Sequence, residues 1–136
     1  MKCLWLGRLA RPDIVKPIGD LATQVQKWTI HSDKALFRLM CYIHSSLGHR
    51  LVGTVGDKAG DLRLRLYVDA DFAGDRLDCK STSGGLLVLW GPSTFFPLGW
   101  VSKKQTAVSR STTEAELIAL SHSLFAEALP TLQLSC

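Results

Sequence analysis

The chain has 136 residues and a mass of 15.0 kDa; 46% of its residues are hydrophobic, four of them Trp, and its net charge is +4 with a pI near 9.0. That is enough apolar material for one modest core, or a core with a helical appendage, and it excludes a disordered chain. The positive charge is mild and scattered, with no run of five or more Lys or Arg, so it excludes a histone-like chain while leaving a nucleic-acid partner open.

At the N-terminus the apolar stretch in residues 1–8 is too short for a signal peptide or a membrane helix, so no membrane partner is expected. The four cysteines, Cys3, Cys41, Cys79 and Cys136, form no CxxC pair and have no His at ligand spacing, which argues against structural zinc. Reduced thiols and an intracellular location are the expectation.

Two amphipathic helices follow. Ile14, Ile18, Leu21, Ala22, Val25 and Trp28 fall on one face at helical spacing. Pro12 suits a helix start, whereas Pro17 must kink the first turn or mark the true first residue. In the second helix Ser32 is the expected N-cap, Asp33 complements the helix dipole, and Leu36, Leu39, Met40, Ile43 and Leu47 form a stripe that Gly48 ends.

Residues 53–61 carry three Gly and two Asp and read as a linker. The apolar period then changes to two. Leu62, Leu64, Leu66 and Val68 alternate with Arg63, Arg65, Tyr67 and Asp69, predicting a strand with one apolar and one polar face. After a loop over 74–80, in which Asp75 and Asp78 are expected to be solvated, residues 85–90 form a continuous apolar run typical of a buried strand. Gly91-Pro92-Ser93 is a turn signal. Residues 94–102 read as a third strand, at an edge or bulged because of Pro97 and Gly99. The last element is a helix from about Thr112, started by Ser111-x-x-Glu114 or Thr113-x-x-Glu116. Leu117, Leu120, Leu124 and Ala128 are its expected core stripe, widened by Ile118 and Phe125, and Pro130 its expected end.

Two acidic clusters stand out. Asp69 and Asp71 are two apart on a strand and share a face. Glu114 and Glu116 are two apart on a helix, about 200° around the axis, so only one can face the strand. Glu116 flanks the expected stripe and is the better inward choice; Glu114 is better placed to cap. Carboxylates converging beside an apolar core repel one another unless a cation sits between them. Hard oxygen ligands of this kind suit Mg²⁺ or Mn²⁺. The plainer reading is a turn acid and a helix cap, and spacing alone leaves both open. His31, His44, His49 and His122 occur singly and suit surface or helix-face positions, and Cys79 has no evident base.

Four linked segments carry a resemblance: residues 67–75 (Tyr-Val-Asp-Ala-Asp-Phe-Ala-Gly-Asp), 80–84 (Lys-Ser-Thr-Ser-Gly), 102–105 (Ser-Lys-Lys-Gln) and 111–120 (Ser-Thr-Thr-Glu-Ala-Glu-Leu-Ile-Ala-Leu), with Arg11-Pro12-Asp13-Ile14 upstream. In order and spacing the chain resembles the reverse transcriptase and ribonuclease H region of copia-type retrotransposon Pol polyproteins. The resemblance implies an α/β fold: a truncated ribonuclease H-like domain at 58–136 (a three-strand antiparallel meander plus helix), preceded at 1–57 by two amphipathic helices from the end of the reverse transcriptase. It implies that Asp69 and Glu116 are metal-binding catalytic carboxylates for Mg²⁺ or Mn²⁺. It further implies that Lys103, Lys104 and Arg110 contact phosphates of an RNA–DNA hybrid, and that other parts of the polyprotein are partners.

The family activity is two-metal hydrolysis of RNA in RNA–DNA hybrids. Its remaining carboxylates lie on a fourth strand and beyond, and residues 131–136 contain none, so weak ion binding and little or no catalysis are expected. A polymerase role is not expected, because Tyr67-Val68-Asp69-Ala70 lacks the adjacent aspartates that chemistry needs. The alternatives are a non-catalytic nucleic-acid-binding or interaction fragment, and a decayed open reading frame.

Overall fold

The computed structural model describes residues 2–74 and 79–134 and resolves into two compact units, divided between Leu51 and Val52. The expected solvated loop acids Asp75 and Asp78, and Cys136, lie outside the described residues.

The first unit is helical. α1 (Lys2–Leu9) adds to the two predicted helices; its eight residues make barely two turns, too few for a periodic signal. α2 (Val15–Thr23) follows a 3₁₀ turn at Pro12–Ile14 and carries Pro17 as its third residue, in the first turn, where no intrahelical N–H is lost. α3 spans Ile30–Ser45. Its N-cap is Thr29 rather than Ser32: the Ser32 amide donates to Thr29 Oγ1 at 3.4 Å while Ser32 Oγ accepts from the Thr29 amide at 3.3 Å, a reciprocal box with Ser in the usual Glu position.

Ile14, Ile18 and Leu39 form the core of this unit, with Cys3, Leu4, Leu6, Leu21 and Ile43 packed on it. Ala22, Val25 and Trp28 of the expected first stripe are exposed, the last two lying beyond α2, which ends at Thr23. Met40 and Leu47 of the second stripe are also exposed.

Arg11 ties this unit together. Its guanidinium donates to Asp13 Oδ2 at 2.7 Å and Oδ1 at 2.9 Å, and reaches Ser46 Oγ at 2.7 Å and the Ser46 carbonyl at 3.1 Å. Tyr42 Oη donates to Asp13 Oδ2 at 2.8 Å. The loop before α2 is thereby fixed to Ser46, the C-cap of α3. Arg11 holds the Asp13 carboxyl down at about 2, assisted by the Tyr42 hydroxyl and opposed by burial.

The second unit is an antiparallel meander in the order β1-β2-β3: β1 Arg63–Asp71, β2 Thr82–Gly91 and β3 Thr94–Lys104. β3 is both an edge strand and bulged, as Pro97 and Gly99 predict: Leu87 pairs with Gly99 and Val88 with Pro97, so Leu98 is the extra residue.

The expected linker is pinned to this sheet. Thr54 and Phe95 exchange two backbone hydrogen bonds of 3.0 Å, and Thr94 Oγ1 accepts from the Gly56 and Asp57 amides. Asp57 Oδ2 accepts from the Ser93 amide at 2.8 Å. A Cβ at Gly56 would come within 2.8 Å of the Ser93 carbonyl and one at Gly53 would meet the Phe96 ring, so these two glycines serve close approach, whereas Gly60 borders open space.

α4 (Thr112–Ser123) crosses the meander and continues through a π-helical turn, Leu124–Ala128, into α5 (Leu129–Leu134), so Pro130 does not end the helical run. The buried face of α4 is Ala115, Ala119 and Ser123, not the leucine stripe: Leu117, Leu120, Leu124 and Phe125 are exposed. The cause lies on β2. A Cβ at Gly85 would stand 2.5 Å from Ser123 Oγ and 3.0 Å from Val101, so helix and sheet meet too closely for leucine. Among the described residues no helix is long and apolar enough to cross a membrane.

Candidate functional site

Asp69 lies near the C-terminal end of β1, paired in register with Gly84 of β2, which in turn pairs with Ser102 of β3. Its side chain is on the exposed face, and its Oδ1 accepts from the Ala70 amide at 2.9 Å. Asp71, two residues on, shares that face as alternation requires.

The helix acids separate as their spacing demands. Ser111 is the N-cap, its hydroxyl accepting from the Glu114 amide at 3.2 Å, and Glu114 Oε2 accepts from the Arg110 amide at 2.6 Å. Glu114 is therefore engaged as a cap. Glu116 instead lines an open groove of about 450 Å³ together with Asp69, Val68, Thr113, Leu117 and Leu120. The structure thus brings Asp69 and Glu116 to one groove and keeps Glu114 out of it.

The basic residues are less unified. Lys103 Nζ lies 3.3 Å from His122 Nε2 of α4. Lys103 and Lys104 line a small pocket of about 90 Å³ with Ser83, Gln105, Thr106, Ile118 and His122. Arg110 is exposed and does not line that pocket.

Gln105 has a role that sequence patterning does not reveal. It is buried, and its Nε2 donates to Ser83 Oγ at 3.0 Å and to the Ala115 carbonyl at 2.8 Å, while Oε1 accepts from Ser109 Oγ at 2.9 Å. Its backbone amide donates to the Ser81 carbonyl at 2.8 Å. One side chain joins β2, the loop after β3 and the first turn of α4, and so fixes where Glu116 sits relative to the sheet. The available signal is a polar residue ending a strand that opens into a loop rich in Ser and Thr.

Two carboxylates on an open groove can offer hard oxygen ligands to a divalent cation that fills the rest of its shell with water or phosphate oxygens. Among the described residues no group of three or more His, Cys, Asp or Glu is placed to hold a metal.

The chain is 38% identical over 106 residues to the retrovirus-related Pol polyprotein from transposon RE1 of Arabidopsis thaliana, a match covering 78% of this chain and 7% of that protein. It is 34% identical over 113 residues to the retrovirus-related Pol polyprotein from transposon TNT 1-94 of Nicotiana tabacum, covering 80% and 8%. It is also 36% identical over 118 residues to secreted RxLR effector protein 161 of Plasmopara viticola, covering 87% of this chain and 78% of that protein. This chain therefore spans less than a tenth of the length of the transposon polyproteins it matches. No family model and no solved structure matches it.

Proposed function

This chain belongs to the copia-type retrotransposon Pol polyproteins, and from that premise we propose that its second unit is a ribonuclease H-type module acting on RNA–DNA hybrids. The observation that carries the reading is the shared groove of Asp69 and Glu116, a strand acid and a helix acid set against an antiparallel meander. In this reading the two carboxylates hold Mg²⁺ or Mn²⁺. Lys103, Lys104 and Arg110 contact the phosphates of the hybrid, and the setting is intracellular, beside the rest of a Pol polyprotein. The donor set suits a hard cation, which would supply Lewis-acid activation of water for phosphodiester hydrolysis. Two carboxylates hold such an ion weakly, so this chain alone is expected to bind hybrid more readily than it cuts it.

The experiment is a Mg²⁺ and Mn²⁺ titration followed by NMR, paired with cleavage of a labelled RNA–DNA hybrid. Shifts confined to the surroundings of Asp69 and Glu116, and abolished by Asp69→Asn and Glu116→Gln, are the expected result. Shifts elsewhere, or none up to high ion concentration, would refute the metal reading. Cleavage that disappears in both variants would make this chain a working nuclease.

A further inference from the structure

The pocket of about 90 Å³ around Lys103 and His122 shares no lining residue with the groove of Asp69 and Glu116. Ser83, which lines it, stands in register between Ala70 of β1 and Lys103 of β3. Lys103 is therefore two strand spacings, about 10 Å, from β1. A strand added beside the outer edge of β1 does not reach this pocket, which β2, β3 and α4 build among themselves.

The groups around it are donors. Lys103 Nζ and His122 Nε2 stand 3.3 Å apart, two basic nitrogens, and among the described residues no carboxylate lines the pocket. Ser83 is buried, and its Oγ accepts from Gln105 Nε2, which leaves the Ser83 hydroxyl proton to donate. Thr106 adds a second hydroxyl at the start of the loop after β3. Gln105 holds the arrangement in place through Ser83, Ala115 and Ser109. Such a set repels a cation, and it suits an oxyanion that accepts from all four groups.

We propose that this pocket binds one phosphate of a nucleic-acid backbone, and that His122 is a phosphate-binding residue whose hold strengthens as its imidazole takes up a proton from solvent. That the anion belongs to nucleic acid rests on the ribonuclease H reading; that the pocket takes an oxyanion does not.

The link to protons follows from charge. An imidazolium and the Lys103 ammonium at this distance repel, and an anion touching both reverses the sign. His122 Nδ1 is buried with no hydrogen-bond partner among the described residues, so Nε2 is the nitrogen through which the ring meets a ligand. The other ionisable groups among the described lining residues are Lys103 and Lys104. An ammonium keeps its charge between about pH 6 and 8, where an imidazole gains or loses one.

Sulfate is the first probe, because it stays a dianion over this range. Titrated in EDTA into the full chain and followed by NMR, it should shift Ser83, Thr106 and His122. It should bind about three- to tenfold more tightly at pH 6 than at pH 8. In His122→Asn this pH dependence should vanish, and Lys103→Gln should weaken binding at both values. Should His122→Asn not fold, the wild-type ring decides: its Hε1 resonance should titrate at higher pH with sulfate than without. Fluorescence anisotropy of an RNA–DNA hybrid, again in EDTA, identifies the natural anion. Sulfate should compete with the hybrid, and the gain in hybrid affinity on acidification should shrink in His122→Asn. Sulfate shifts scattered over other basic residues, or equal affinity at both pH values, would overturn the pocket. Sulfate binding as expected, with hybrid affinity indifferent to His122→Asn, would overturn the phosphate assignment and leave the metal reading of Asp69 and Glu116 untouched.

Discussion

The side-chain amide of Gln105 donates to the Ala115 carbonyl across 2.8 Å, joining the end of β3 to the first turn of α4. The same amide nitrogen reaches Ser83 Oγ, and its oxygen accepts from Ser109, so this buried polar group is fully engaged. Gln105→Leu should destabilise the second unit by about 1–3 kcal/mol, since it strips buried polar neighbours of their partner. Gln105→Glu, which conserves volume but turns the donor into an acceptor, should do comparable damage at neutral pH. Urea unfolding separates the cases: a Glu variant as stable as wild type would mean that packing, not hydrogen bonding, holds the junction.

Contact between Gly85 and Ser123 sets the approach of α4 to the sheet. Gly85→Ala should cost about 1–3 kcal/mol, because the added methyl meets Ser123 and Val101 together. Ser123 Oγ is buried with no hydrogen-bond partner among the described residues. Ser123→Ala alone should therefore leave stability unchanged or raise it by up to about 1 kcal/mol. In the double variant, part of the Gly85→Ala loss should return. Strictly additive thermal shifts would show that the two positions do not touch.

The Arg11–Asp13 pair predicts an acid response of the helical unit. In the folded chain the Asp13 carboxyl is held at about 2, against an ordinary value of 3.8. Between those values the folded state binds fewer protons than the unfolded state, so this contribution to stability is complete above about pH 4 and drains away as pH falls through about 2. Asp13→Asn should flatten the acid limb while lowering stability at neutral pH. Hydrogen exchange of α3 amides between pH 5 and 2 reads both effects, and an unchanged acid limb in the variant would remove Asp13 as its source.

Hybrid binding, if it runs through the basic residues, should carry their signature in salt. Replacing Lys103, Lys104 and Arg110 by Gln should weaken binding and flatten the dependence of log K on log salt by roughly 0.7–0.9 for each phosphate no longer neutralised. Fluorescence anisotropy at several KCl concentrations measures the slope. A slope indifferent to all three substitutions would move the binding surface elsewhere.

The strands and the start of α4 are legible because alternation along 62–69, the turn at Gly91-Pro92-Ser93 and the cap at Ser111 are local signals. Spacing alone leaves the convergence of Asp69 and Glu116 open, and the groove they share appears only in three dimensions, with Glu114 taken up as the cap. The buried face of α4 is not legible. Hydropathy assigns burial to Leu117, Leu120 and Leu124, but the face is chosen by glycine on a strand some forty residues earlier, which admits only Ala115, Ala119 and Ser123. Likewise Gly53 and Gly56 signal slack in one dimension, and only Phe96 and Ser93 in three show that they permit proximity.

The narrow seat of α4 on β2 works as a fulcrum. Ser123 and Glu116 are seven residues apart, about 10 Å along the helix axis. A methyl group added at Gly85, beneath Ser123, would have to displace the helix to fit, and so would move Glu116 relative to Asp69 with neither carboxylate altered. The span between the two acids is thus adjustable from a distance, by volume alone, and drift at an inconspicuous glycine could open or close the groove as effectively as the loss of a charge.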